Sequence, residues 1–164
     1  MKTIYVLWLR QIKRYFRSKS RIIGSLGQPL LFLVALGFGF GPVYQRAGEG
    51  NYLNFLAPGI IAMSVLFTSI FFGIELIWDK QFGFLKETLV APVSRFGIMF
   101  GRTLGGATVA TFQGVIVLLL SLLVGFWPYN WFMVILAVLI MFITALIFTA
   151  LGTAIATVLR DMHG

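Results

Sequence analysis

The sequence predicts an all-α membrane protein, with an N-terminal amphipathic interfacial helix and four transmembrane helices. Three observations carry that reading. Of 164 residues, 59% are hydrophobic and only 11% charged, against about 25% charged in a soluble domain, and mean hydropathy is +0.95. The charges are segregated: Lys2, Arg10, Lys13, Arg14, Arg17, Lys19 and Arg21 precede the first long apolar run, and none lies between Arg102 and Arg160. The uncharged stretches also have the length of membrane spans, about 20 residues for a hydrocarbon core about 30 Å thick.

Residues 1–21 plot as a helix at about 100° per residue. Ile4, Tyr5, Trp8, Leu9, Ile12, Tyr15 and Phe16 share one face and Arg10, Lys13, Arg14, Arg17 and Arg21 the other, with Val6, Leu7 and Lys19 out of pattern. Such a helix lies flat at a lipid surface with its cations toward anionic headgroups, so Trp8, Arg10, Arg14 and Arg17 are its expected lipid contacts. The stretch is too long and patterned for a signal peptide. It is expected to end in Ser18-Lys19-Ser20.

Residues 22–43 form the first span. Pro29 and Pro42 are compatible with it where neighbouring helices or hydroxyls satisfy the carbonyls they free. A polar loop, 44–54, follows, framed by Tyr44 and Tyr52 at interface positions. The second span is 55–78, with Pro58 in its opening turns. Glu75 falls in its last turn, where a carboxylate either sits just outside the hydrocarbon or makes an ion pair, for instance with an arginine of the amphipathic helix.

Residues 79–95 are a charged island between apolar segments. Phe82, Leu85 and Leu89 recur at helical spacing with Lys86 and Glu87 facing away, which predicts a short amphipathic helix closed by Ala91-Pro92. Ser94 is placed to cap the next helix, with Arg95 and Arg102 in its opening turns. The 57 uncharged residues 103–159 fit two further spans, 103–126 and 132–159, around a turn at Trp127-Pro128-Tyr129-Asn130-Trp131. Gly101 with Gly105, and Gly152 with Ala156, have the small-xxx-small spacing that permits close helix contact, expected within the bundle.

With the N-terminus inside, twelve basic residues face the cytoplasm and only Arg46 lies outside. This asymmetry predicts a multi-pass protein of the cell membrane with the island, the N-terminus and residue 164 cytoplasmic. The basic excess therefore reads as orientation in membrane lipids, and no nucleic-acid partner is expected. The chain has no cysteine, which excludes disulfides, zinc-thiolate sites and thiol catalysis. Its spans hold no cluster of ionisable or nucleophilic groups at depth, so no catalytic residue, cofactor or metal ligand is expected.

At the island the residues resemble the membrane permease of type-2 ABC transporters, of the drug-resistance and nodulation-factor exporter kind. Trp78-Asp79-Lys80, Phe82-Gly83-Phe84-Leu85-Lys86-Glu87 and Leu89-Val90-Ala91-Pro92-Val93-Ser94-Arg95 look like that family's cytoplasmic segment between spans two and three, although Gln81 stands where members often carry an acid. The resemblance implies a permease subunit of an ATP-driven exporter, paired with a second permease copy and a separate ABC ATPase subunit. It further implies that Phe82, Phe84, Leu85, Lys86, Glu87 and Leu89 form a short cytoplasmic coupling helix seated in a cleft of that ATPase. The chain itself carries no Gly-x4-Gly-Lys-Ser/Thr phosphate loop. Residues 159–164 look like the start of the family's link to a fifth span, so the sequence is expected to be the N-terminal part of a longer permease. The alternative is a stand-alone four-span membrane protein, a channel or assembly factor, with no ATPase partner.

Overall fold

The computed structural model describes residues 2–46, 51–81 and 94–158, which form five helices: α1 (Lys2–Arg17), α2 (Lys19–Arg46), α3 (Tyr52–Gln81), α4 (Arg95–Val124) and α5 (Trp131–Val158). Helices α2 to α5 contain the four segments long and apolar enough to cross a membrane, of 26, 28, 30 and 27 residues. At a rise of about 1.5 Å per residue each exceeds a core of about 30 Å. The molecule is an all-α membrane protein.

Helices α2 and α3 at both ends, and α4 and α5 at their starts, outrun the apolar stretches that predict them, because hydropathy marks the hydrocarbon boundary while a helix continues to its cap. The first helix ends at Arg17 and α2 starts at Lys19, which moves Arg21 from the first helix to the second. Helix α4 starts at Arg95, where the Gly97 N–H donates to Ser94 Oγ at 3.1 Å, the N-cap expected from sequence. It ends at Val124, short of the predicted 126, because Gly125 caps it with a φ of 117° that is open to glycine at little cost. The turn is then tied back to α3, since the Trp127 N–H donates to Asn54 Oδ1 at 3.3 Å.

Helices α3 and α4 form the interior: 56% and 44% of their most apolar 18-residue stretches are buried in protein, against 17% for α2 and for α5. Val65, Ala107, Ala110, Val117, Met141 and Ala145 make the centre of the core. Small residues bring the axes together. A Cβ on Gly73 would lie 2.5 Å from the Gly152 backbone, so α3 and α5 cross in direct main-chain contact.

The face of α1 differs from the one the helical wheel predicts. Leu7, Gln11 and Tyr15 are buried, whereas Tyr5 and Phe16 are 59% and 50% exposed. The cause is the glycine edge of α4: the Ile4 carbonyl and Leu7 lie over Gly101, and Gln11 lies over Gly105. Backbone proximity there selects the stripe 7/11/15, including a glutamine that an apolar wheel assigns to no face. Trp8 fixes the register, its indole N–H donating to Thr108 Oγ1 at 3.0 Å.

Helix α2 runs unbroken through Pro29. Proline has no N–H for the carbonyl four residues earlier, that of Ser25. The side chain of Gln113 on α4 supplies the donor instead, Nε2 to Ser25 O at 3.0 Å.

Candidate functional site

Five charged side chains from four helices meet at the end of the bundle where α3 stops and α4 begins. Glu75 and Asp79, four residues apart on α3, share one face. Arg14 comes from the last turn of α1, Arg21 from the first turns of α2, and Arg102 from the third turn of α4. Arg21 forms a forked pair with Glu75, Nη1 to Oε1 at 3.0 Å and Nη2 to Oε2 at 3.3 Å. Arg14 bridges both acids, 2.8 Å from Glu75 and 3.5 Å from Asp79. Arg102 closes on Asp79 at 2.6 Å, with 8% and 6% of the two side chains exposed. Bidentate and charge-assisted contacts of this kind are strong where water is scarce.

Beside the cluster a cavity of about 610 Å³ opens between α2 and α3, lined among others by Arg21, Ser25, Thr68, Phe72, Glu75 and Gln113. A second cavity of about 120 Å³ shares Ser25, Thr68, Phe71 and Gln113 and reaches Phe32 and Ser64, so the two make one groove running from the ion cluster into the apolar zone. Arg21 stands over the Phe72 ring at 4.6 Å, a cation–π contact that holds it at the groove's mouth.

Of the residues singled out from sequence, the structure brings Arg14 and Glu75 together. Trp8 is turned to Thr108, while Arg10 and Arg17 are exposed on the outer side of α1. Phe82, Phe84, Leu85, Lys86, Glu87 and Leu89 lie outside the described residues. Asp79, Arg102, Arg21 and Gln113 were not identified as site residues by sequence reasoning. For Asp79 a signal existed, its i, i+4 spacing from Glu75 at a membrane margin; for Gln113 it was the register of Pro29. Among the described residues no group of three or more His, Cys, Asp or Glu could hold a metal ion.

The ion-paired base joins four helices at the end where α3 stops and α4 begins. Residues 2–164 match the family described as ABC-2 type transporter. The chain belongs to that family. Among relatives of this ABC-2 chain, transport permease ycf38 of Cyanophora paradoxa is 32% identical over 132 residues, 76% of this chain and 44% of its own length. Nodulation protein J of Azorhizobium caulinodans is 27% identical over 98% of this chain and 65% of its own, and inner membrane transport permease YadH of Escherichia coli strain K12 is 29% identical over 89% and 57%. The ABC-2 chain thus spans about half the length of the curated relatives it matches. No solved structure gives a significant match.

Proposed function

We propose that this chain is the membrane permease part of an ATP-driven exporter, in which it forms the substrate pathway with a second permease copy and takes its conformational drive from a separate ATPase subunit. The ion cluster is the observation that carries the reading. Residues 82–93 connect α3 to α4, and the adjoining ends of both helices are clamped by Asp79 and Arg102. Arg14 and Arg21 bind the same acids to α1 and α2. A push on the island is therefore delivered to four helices together. Nucleotide-dependent closure of the ATPase biases the bundle between two arrangements only if it contacts them differently, and Phe82, Leu85 and Leu89 are the face through which that difference enters. The N-terminus, the island and residue 164 are then cytoplasmic, by charge asymmetry.

Co-purification tests this. The chain is expressed with the ATPase encoded beside its gene, and again with Phe82, Leu85 and Leu89 changed to Asp. Loss of the ATPase from the triple variant supports the coupling role. Undiminished recovery removes the island from the interface, and no recovery with either form favours the stand-alone reading.

A further inference from the structure

Helix α2 is held to α3 and α4 at both of its ends, by ties that differ in kind. The inner ties are polar. Arg21 forks onto Glu75 of α3 at 3.0 and 3.3 Å, and one turn further on the Ser25 carbonyl accepts from Gln113 of α4 at 3.0 Å. The outer ties are apolar. Gly37 is buried, and a Cβ there would lie 2.6 Å from Leu53 Cδ2, so the first turn of α3 seats this leucine in a notch of α2. The other methyl of Leu53 faces Gly125, the cap of α4, where an added Cβ would lie 3.6 Å away. Beside this knob the rings of Phe40 and Tyr44 on α2 meet those of Tyr52 and Phe55 on α3, with centroids 5.1 to 6.3 Å apart. Between the two levels the helices part. The gap is about 610 Å³ beside Arg21 and Glu75 and narrows to about 120 Å³ at Phe32 and Ser64, on the way to Gly37.

We propose that α2 is a strap, hinged where Leu53 sits in the Gly37 notch and latched by Arg21 and Gln113, which opens its seam with α3 from the inner end. A knob in a notch keeps its apolar contact as the helix turns, because that contact has no preferred direction. A forked ion pair and an amide–carbonyl bond depend on distance and angle and let go. Arg21 lies about 24 Å from Gly37 at about 1.5 Å per residue, so a turn of about 10° carries it about 4 Å, out of reach of Glu75. Ser18, which is not helical, separates α1 from α2 and gives the moving end a joint. Arg14 belongs to α1 and stays on both acids, so an open strap does not strand Glu75 as an unpaired buried charge. The strap is built from this chain's own contacts and stands whether or not an ATPase drives it.

The test is double electron–electron resonance on the full chain in lipid nanodiscs, with no ATPase present, so that its outcome is separate from that of the co-purification. The chain has no cysteine, so introduced cysteines carry the only spin labels. Ile23→Cys with Phe96→Cys spans α2 and α4 at the inner end, and Val43→Cys with Leu123→Cys spans them at the outer end; all four side chains are exposed. Arg21→Ala with Gln113→Leu releases the latch, which lengthens the inner distance by about 4 Å and shifts the outer one by less than about 1 Å. The unmoved outer pair also shows that the bundle remains folded. Arg21→Ala alone, which leaves the Ser25 carbonyl with its donor, lengthens the inner distance less and in the same direction. Leu53→Ala loosens the hinge and broadens the outer distribution. Adding Gly37→Leu returns the knob from the other helix and narrows it again. An inner pair that does not move in either latch variant overturns the proposal, as does an outer pair that lengthens together with the inner one in Arg21→Ala. An outer distribution indifferent to Leu53→Ala overturns it as well, by removing Leu53 from the hinge.

Discussion

Gln113 and Ser25 meet across α4 and α2 at 3.0 Å because Pro29 leaves the Ser25 carbonyl without its helical donor. The contact makes α2, the less buried helix, depend on α4 at one point. Gln113→Leu is expected to destabilise by about 1–3 kcal/mol, the cost of an orphaned buried acceptor. In a Pro29→Ala background the same change costs less than about 1 kcal/mol, since residue 29 then donates. Reversible unfolding in mixed detergent measures all four corners of the cycle, and equal penalties in the two backgrounds would refute the compensation.

Asp79 and Arg102 are the most enclosed members of the ion cluster, so removing one strands the other. Asp79→Asn or Arg102→Ala is expected to cost about 3–5 kcal/mol. Replacing both, as Asp79→Leu with Arg102→Met, recovers most of that loss, because neither desolvated charge remains. Stability of the double variant no better than of either single variant in the same unfolding assay would mean that the pair's worth lies elsewhere.

The spans were legible because lipid demands long uncharged helices, and that demand writes itself into composition. Ser94 was legible too, as a hydroxyl just ahead of a helix. What escaped was whatever depends on which face of one helix meets which face of another. Leu7 looked out of pattern on the wheel of residues 1–21 because that wheel ranks side chains by hydropathy, while α1 is seated by the glycine edge at Gly101 and Gly105. Gly152 stood out by its spacing to Ala156, and its partner Gly73 has the same spacing to Ser69, but spacing does not say that these two glycines face one another. Glu75 announced itself as an anomaly in an apolar helix, yet three arginines were within plausible reach of its end, and only the packing of α1, α2 and α4 assigns Arg14 and Arg21 to Glu75 and Arg102 to Asp79.

The seat of α1 on α4 leaves no room for a side chain. A Cβ on Gly105 would lie 2.7 Å from Gln11 Cβ, whereas one on Gly59 would meet nothing within 4 Å. Gly105→Leu is expected to lift α1, at a cost of about 1–3 kcal/mol, which raises its open population about five- to a hundredfold. Tryptic cleavage after Arg10 and Lys13 should accelerate accordingly, with Gly59→Leu as the unaffected control. Unchanged cleavage of the Gly105 variant would show that α1 does not need this contact.

Tyr15 gives the base of the bundle a pH dependence of predictable sign. Burial pushes its phenol above the ordinary value, with Ser25 and the charge of Arg21 offsetting part of the rise. Its Oη is buried and has no partner in hydrogen-bonding geometry among the described residues. The folded state therefore holds the phenolic proton more tightly than the unfolded chain, whose tyrosine titrates at about pH 10. Stability from this group is whole below that pH and falls as pH rises through the folded value, since the unfolded state binds fewer protons in that window. Tyr15→Phe deletes both the unpartnered hydroxyl and the titration. It is expected to be neutral or stabilising by up to about 1 kcal/mol at pH 7, and the gap between variant and unaltered protein should widen in alkali. Subtracting the two pH profiles of unfolding removes the lysines and other tyrosines common to both. A flat difference between about pH 9 and 11.5 would place the Tyr15 phenol in contact with water.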